Sequence, residues 1–249
     1  MDDPSAKTRA AVWGSDPAAP VNAGYTAPPN PASQDAGLAL SRRQTRLEGV
    51  AIDYLKQVYA LLAASMIVAV AAGYVGMTLP FAFEHPIVLM LMMFGALFLA
   101  FRVQNAATLF LFTAISGLSI GPVIAIYVGA GLSQIVGQAV FMTGAVFIGL
   151  SAYALTTRRD LSMLSGILFA GLIVLLVGSL LNLFFHSTAM SFAVSACGSV
   201  IFAGYILFET QQLKENPGAV APSVAALSMY LNVVNLFLSL LRLLGILED

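Results

Sequence analysis

The amino-acid sequence predicts an all-α membrane protein with seven transmembrane helices, in which the last helix lies at the centre of the bundle. Of its residues 59% are hydrophobic and only 9% are charged, and the mean hydropathy is +0.89. This composition is typical of a chain that is embedded in the lipid bilayer. The formal net charge of -1 provides no basic field, so no nucleic-acid partner is expected.

Residues 1–48 differ from the rest of the chain and are predicted to form a disordered cytoplasmic tail. They are rich in Pro, Ala, Asn and Gly and contain the only tryptophan, Trp13. A Pro-rich polar segment of this kind has too little apolar surface to fold. Its acidic start is followed by no apolar run, so a signal peptide is not expected. Residues 49–249 form the predicted transmembrane domain.

Seven apolar runs follow the tail. Each is close to the roughly 20 residues that a helix needs to cross a bilayer, although the second is short. Together they predict seven membrane-spanning helices. The runs are 55–79, 86–101, 106–128, 134–156, 161–185, 189–209 and 223–245.

Lysine and arginine residues lie at alternate connections between these runs, which predicts the orientation. The connections around Glu84, 129–133 and His186 carry no basic residue. Cytoplasmic loops are enriched in Lys and Arg, so the N-terminus is predicted to be cytoplasmic. The basic residues before or at the start of the first run and in the other cytoplasmic connections are Lys7, Arg9, Arg42, Arg43, Arg46, Lys56, Arg102, Arg158, Arg159 and Lys214.

Small residues in the runs predict where helices pack closely. In the first run Ala69 and Gly73 have the spacing that lets two helix backbones approach, and in the fourth run Gly144 and Gly149 suggest the same. In the third run 121–122 is Gly-Pro, and proline lacks an N–H donor. We expect a kink at Gly121 and Pro122, with a gating hinge as the more specific alternative.

The last run carries five polar residues at steps of four, three, four and three. On a helix this spacing predicts one polar stripe. A polar stripe inside a bilayer must face other helices or a water-filled cavity rather than lipid. The last helix is therefore predicted to be central and to carry the functional residues. The stripe consists of Ser228, Asn232, Asn235, Ser239 and Arg242.

Three polar residues near the cytoplasmic side are predicted to form a gate or latch. Glu209 ends the sixth run, Arg102 follows the second, and Asn232 lies in the seventh at a similar depth. A carboxylate, a guanidinium and an amide can be joined by charge-assisted hydrogen bonds and so close a central cavity. Taken singly, Glu209 is also explained as a solvated interfacial acid and Arg102 as an ordinary positive-inside anchor.

One catalytic pattern occurs in the sequence. Residues 117–121 match G-x-S-x-G, which in hydrolases exposes a nucleophilic serine after a strand. Here the pattern lies within an apolar run, and His85 and His186 fall in outer loops, so Ser119 is interpreted as a packing residue and no catalytic residue or enzyme activity is expected. With these histidines and Cys197 far apart in the chain, neither a metal site nor a cofactor is expected.

Four segments in this order resemble the Bax inhibitor-1 family in its bacterial form, over about residues 50–247. The family implies a seven-helix bundle around the last helix and a multi-pass bacterial inner-membrane protein. It also implies a pH-sensitive calcium leak in some members and restraint of a membrane-anchored AAA protease or of cell death in others. The segments are GLSIGP at 117–122, TTRRDLS at 156–162, GYILFET at 204–210 and YLNVVNLF at 230–237.

The resemblance also assigns roles to the predicted gate. In calcium-leaking members two aspartates share a proton, and Glu209 and Asn232 occupy their positions, while Arg102 occupies that of a latching arginine. Because an amide cannot titrate, Asn232 lacks the like-charge coupling of a carboxylate pair. The sequence therefore favours a protease modulator and leaves open a cation leak, with calcium as the ion.

Overall fold

The computed structural model describes residues 31–248, with side chains at 40–42, 45–46 and from Gly49 onwards. The predicted tail up to residue 30 lies outside the described residues. Within the described part of the chain every element is helical, and there are eight helices. They are α1 (Pro31–Gly76), α2 (Pro80–Glu84), α3 (Pro86–Val103), α4 (Ala106–Gly129), α5 (Ser133–Thr156), α6 (Leu164–Phe185), α7 (Thr188–Glu215) and α8 (Pro222–Glu248).

Helix α1 begins at Pro31, before the boundary at residue 49 that composition predicts. Proline is compatible with the first position of a helix, and the Ala, Leu, Gln and Arg residues that follow are strong helix formers. By its contacts the chain divides into two units, residues 1–46 and 47–249. The second unit contains all seven apolar helices.

Seven helices of the second unit are long and apolar enough to cross a membrane, so the predicted fold class is confirmed. The first of them is the segment Gly49–Gly76 of α1, and the others are α3 to α8. The short helix α2 lies in the connection between the first two spans and was not predicted. At the start of α4, the side chain of Asn105 accepts a 2.8 Å hydrogen bond from the backbone N–H of Thr108, as an N-cap does.

Helix α8 lies at the centre of the bundle, as its polar stripe predicts. Half of the residues in its most apolar stretch are buried, compared with 11% of those in the corresponding stretch of the peripheral helix α6. It packs against α4, α5 and α7. The side chains of Met229 and Tyr230 are fully buried, and the ring of Phe112 on α4 meets that of Tyr230 edge to face at 6.0 Å.

Helices α1 and α4 approach until their backbones touch. A Cβ atom on Gly121 would lie 2.5 Å from the carbonyl carbon of Gly76 and 2.6 Å from the carbonyl oxygen of Gly73, and one on Gly117 would meet the backbone of Ala69. The predicted packing role of Ala69 and Gly73 is therefore observed. Helix α4 stays helical through its proline.

The corresponding prediction for α5 is wrong. A Cβ atom on Gly144 or on Gly149 would have no neighbour within 4 Å. Gly144 instead lines an apolar cavity of about 660 Å³ between α1, α4, α5 and α8. Small residues recur along both α1 and α5, but of these two helices only α1 has glycines that meet a second row of small residues, on α4.

Candidate functional site

The polar stripe of α8 is divided between two faces of the helix. A step of seven residues turns a helix by only about 20° from two full turns, whereas a step of three leaves two side chains about 60° apart. Asn232 and Ser239 therefore share one face, which points to α7. Asn235 and Arg242 share the other, which lines a cavity beside α3 and α4. Ser228, further towards the start of α8, is half-buried.

On the α7 face, Asn232 binds Glu209. The amide Nδ2 of Asn232 donates a 2.7 Å hydrogen bond to Oε2 of Glu209. Asn232 is 7% exposed and Glu209 is half-buried. A carboxylate removed from water needs such a donor, because each unmet hydrogen bond inside a membrane is costly.

Further along the same face, α7 and α8 come close together. A Cβ atom on Gly198 would lie 2.7 Å from the hydroxyl oxygen of Ser239. Small residues at this point allow the two helices to pack side by side over their length. The α7 face of α8 is thus closed along the helix, with Asn232 and Ser239 both in contact with α7.

The structure brings together two of the three residues of the predicted gate. Arg102 lies exposed near the end of α3, and among the described residues it forms no hydrogen bond or ion pair with Glu209 or Asn232. The ion pair found in the described part of the chain joins Lys56 to Asp53 at 3.9 Å. A latch that involves Arg102 would need a different arrangement of α3.

The second face of α8 lines a cavity of about 420 Å³ between α3, α4 and α8. The amide of Asn235 donates one hydrogen bond, to the carbonyl of Leu231 in its own helix at 2.8 Å. Arg242 forms no hydrogen bond or ion pair with any described residue. This side of α8 is therefore open and carries a positive charge.

A thin apolar wall lies between the two cavities described above. Ile120 of α4 and Val234 of α8 line both the 660 Å³ cavity and the 420 Å³ cavity. Ile120 directly precedes the predicted hinge at Gly121 and Pro122. A bend of α4 at this point would alter the wall, and the hinge remains a prediction.

The serine of the G-x-S-x-G pattern lies in the middle of α4. Its hydroxyl donates a 2.9 Å hydrogen bond to the carbonyl of Ile115, one turn earlier in the same helix. His85 lies at the junction of α2 and α3, and His186 caps the end of α6. Ser119 also lines the cavity beside Arg242.

A polar anchor of the loop between α5 and α6 was not predicted. Gln211 of α7 accepts a 3.0 Å hydrogen bond from the N–H of Leu161 and donates one of 2.6 Å to the carbonyl of Arg159. Lys214 donates to the carbonyl of Thr157 at 2.9 Å. These bonds fix the loop to the end of α7, and the side chain of Arg159 remains exposed.

Within this loop, Asp160 stabilises a local turn. Its carboxylate accepts a 2.8 Å hydrogen bond from the backbone N–H of Ser162. This backbone hydrogen bond, which favours the charged form, lowers the pKa of Asp160 below its ordinary value. The loop thus presents one carboxylate beside Arg158 and Arg159.

A second unpredicted contact joins α4 to α8. The hydroxyl of Tyr230 donates a 3.2 Å hydrogen bond to the hydroxyl of Ser116. Both residues are buried. Ser116 lies in an apolar run, and a polar residue there is a signal for an interhelical partner, but the sequence alone does not identify that partner.

The helices and the polar core of α8 define a multi-pass helical membrane protein in which polar residues of a central helix face its neighbours. A family model described as "Inhibitor of apoptosis-promoting Bax1" matches residues 52–249. The chain therefore belongs to the Bax inhibitor-1 family, as its four sequence segments suggest.

Relatives from bacteria and from a mammal resemble this chain. One is the "Modulator of FtsH protease YccA" of Escherichia coli, 38% identical over 157 residues, which are 61% of this chain and 71% of the relative. A membrane protein of Vibrio cholerae is 36% identical over 204 residues, 78% of this chain and 90% of its own. "Protein lifeguard 4" of Mus musculus is 31% identical over 207 residues, 78% and 85% of the two chains. Seven apolar helices and a relative named as an inner membrane protein support a multi-pass inner-membrane protein.

Proposed function

We propose that this protein modulates a membrane-anchored AAA protease and thereby acts in the quality control of membrane proteins. The observation that carries the proposal is the hydrogen bond from Asn232 to Glu209. Through this bond the carboxylate has a neutral partner, an amide, which does not titrate. The similarity to a protein named as a modulator of FtsH protease supports the same function.

The pairing of Glu209 with an amide argues against a proton-operated gate. Two neighbouring carboxylates repel each other when both are charged, so they titrate as a coupled pair. Asn232 removes that coupling, and Arg102 lies apart from both residues. The pair therefore acts as a fixed contact between α7 and α8, which suits a rigid interaction protein.

The surface offered to the protease is the anchored loop between α5 and α6. With the N-terminus in the cytoplasm, as the loop charges indicate, this loop faces the cytoplasm. Gln211 and Lys214 hold its backbone, while Arg158 and Arg159 remain exposed. A pre-organised basic surface loses little conformational entropy on binding an acidic partner surface.

The orientation is tested by labelling cysteines from outside intact cells. In a Cys197→Ser background, His186→Cys should react with a membrane-impermeant maleimide, and Arg158→Cys should react only after the membrane is permeabilised. The reverse labelling pattern would show that the loop cannot meet a cytoplasmic protease domain.

The function is tested by co-reconstituting the protein with a membrane-anchored AAA protease and measuring the degradation of a membrane-protein substrate. We expect the degradation rate to change several-fold in the presence of the protein, and Arg158→Glu with Arg159→Glu to abolish the change. Lys56→Glu is the matched control, because it reverses an exposed charge elsewhere. A rate unaffected by the protein would exclude the modulator function in this system.

A cation leak, with calcium as the ion, is the second candidate. The presence of Glu209 within a membrane span favours it, because intramembrane carboxylates often mark ion pathways. In liposomes, Asn232→Asp should then create a carboxylate pair and make calcium flux depend on pH, and Glu209→Gln in that background should remove the dependence. A background-level trace at every pH from well-folded Asn232→Asp protein would eliminate this candidate.

A further inference from the structure

The cavity between α3, α4 and α8 is lined at one end by an exposed arginine, Arg242, that no described residue neutralises. Arg242 lies roughly 9 Å before the end of α8, at 1.5 Å per residue, and thus within the span Pro222–Glu248. A charged side chain within a membrane-spanning helix is usually paired or faces water. Because Arg242 has no partner in the described part of the chain, the site is suited to an anionic ligand.

Polar and apolar groups follow one another along α8 from the mouth of this cavity to its deep end. Arg242 comes first, Asn235 lies roughly 10 Å deeper, and Leu231 lies deeper still. Asn235 uses one of its two amide hydrogens on the carbonyl of Leu231, which leaves the other as a donor. At the deep end Phe112 of α4 and Leu97 of α3 complete an apolar wall.

We propose that this cavity binds a phospholipid with an anionic headgroup. The guanidinium of Arg242 binds the phosphate, since its fork of N–H donors matches phosphate oxygens. The spare amide hydrogen of Asn235 donates to an ester carbonyl below the phosphate. Leu97 and Phe112 contact the first part of an acyl chain. This site is independent of the proposed protease function and lies on the neighbouring face of α8, about 60° around the helix from Asn232.

The order of groups distinguishes such a lipid from its competitors. A free phosphate ion would use Arg242 but gain nothing from the apolar deep end. A zwitterionic lipid has the same esters and chains, but its own ammonium group competes for the phosphate and its net charge is zero. A net negative charge near Arg242 is therefore the feature that the site recognises.

Native mass spectrometry of the purified full-length protein tests the proposal. Phosphatidylglycerol and phosphatidylcholine with identical acyl chains are added at equal concentrations, and inorganic phosphate is titrated separately. We expect about tenfold preferential retention of phosphatidylglycerol, because only this lipid brings a net negative charge to Arg242. Arg242→Gln should remove the preference and Arg242→Lys should restore part of it. Lys56→Gln, which removes a charge from an exposed position, should leave it unchanged.

A second variant separates the two polar contacts. Asn235→Leu should reduce the retention of both lipids equally, because both contain ester carbonyls. Equal retention of the two lipids by the unaltered protein would overturn the proposal, whatever the folding of the variants. So would displacement of phosphatidylglycerol by millimolar phosphate, since the site would then bind a soluble anion.

Discussion

The polar residues on the two faces of helix α8 have different surroundings. Towards α7, Asn232 is bonded to Glu209 and Ser239 contacts the backbone near Gly198, so the face is closed. Towards α3 and α4, Asn235 and Arg242 border an open cavity. The two sets lie only about 60° apart around one helix. The polarity of an intramembrane residue therefore does not predict whether it contacts a neighbouring helix or borders a cavity. The packing of the neighbouring helix determines which of the two occurs.

The largest expected effect comes from disturbing α4, which forms a wall of the open side. Gly121→Leu would place side-chain atoms into the backbone of α1, where a Cβ atom already lies 2.5 Å from Gly76. Because backbone cannot move aside like a flexible side chain, we expect a loss of about 3 kcal/mol of unfolding free energy. Reversible unfolding in detergent measures the change.

Gly144→Leu is the matched control for that substitution. It adds the same atoms where the structure has open space, so we expect a change below about 1 kcal/mol in either direction. Equal losses for the two variants would show that α1 and α4 are not in backbone contact.

The next effect separates the two faces directly. Asn232→Leu removes the donor of Glu209 and leaves a half-buried carboxylate without its partner, so we expect a loss of about 2 kcal/mol. Asn235→Leu removes a bond within one helix and should cost less than about 1 kcal/mol. The same unfolding measurement compares them. Similar losses at both positions would remove the distinction between a closed and an open face.

Much of this architecture could be predicted from the sequence, since hydropathy determines which segments enter a bilayer. Composition and run length predicted the seven spans, and the five polar residues of the last run predicted its central position. The start of α1 at Pro31 was not predicted. The composition of residues 1–48 was considered as a whole, and its prolines outweighed the good helix formers that follow Pro31.

The candidate site was predicted only in part. Periodicity placed Asn232 and Arg242 on one stripe, but the approximation that steps of three and four share a face hides the 60° between them. The similar depth of Glu209 and Asn232 in their runs predicted that they meet, and their positions in the family pattern agreed with this. That Arg102 lies outside this contact could not be predicted, because it depends on how α3 packs. The anchoring of the loop by Gln211 could not be predicted either, because the hydrogen bonds join residues that are distant in the sequence.

A smaller effect is expected from weakening the hydrogen bonds by which the end of α7 holds the loop between α5 and α6. Gln211→Ala removes both hydrogen bonds to the backbone of Leu161 and Arg159. We expect local opening to become easier by about 1 kcal/mol. Trypsin should then cut after Arg158 or Arg159 about fivefold faster. Gln212→Ala is the control, because Gln212 bonds to Asn216 in an exposed contact; equal acceleration by both would show that the loop is not held by α7.

The smallest expected effect is that of Arg102→Gln, and it defines where the closed side ends. Arg102 is exposed and lies apart from Glu209, so its removal should change the unfolding free energy by less than about 0.5 kcal/mol, as Lys56→Gln should. If Arg102 latched the pair of Glu209 and Asn232 in the resting protein, the loss would instead approach that of Asn232→Leu, and combining the two substitutions would give a non-additive result. Additive changes in a double-mutant cycle would place Arg102 outside the contact. The closed side of α8 would then consist of α7 alone, and any latch would belong to a conformation in which α3 has moved.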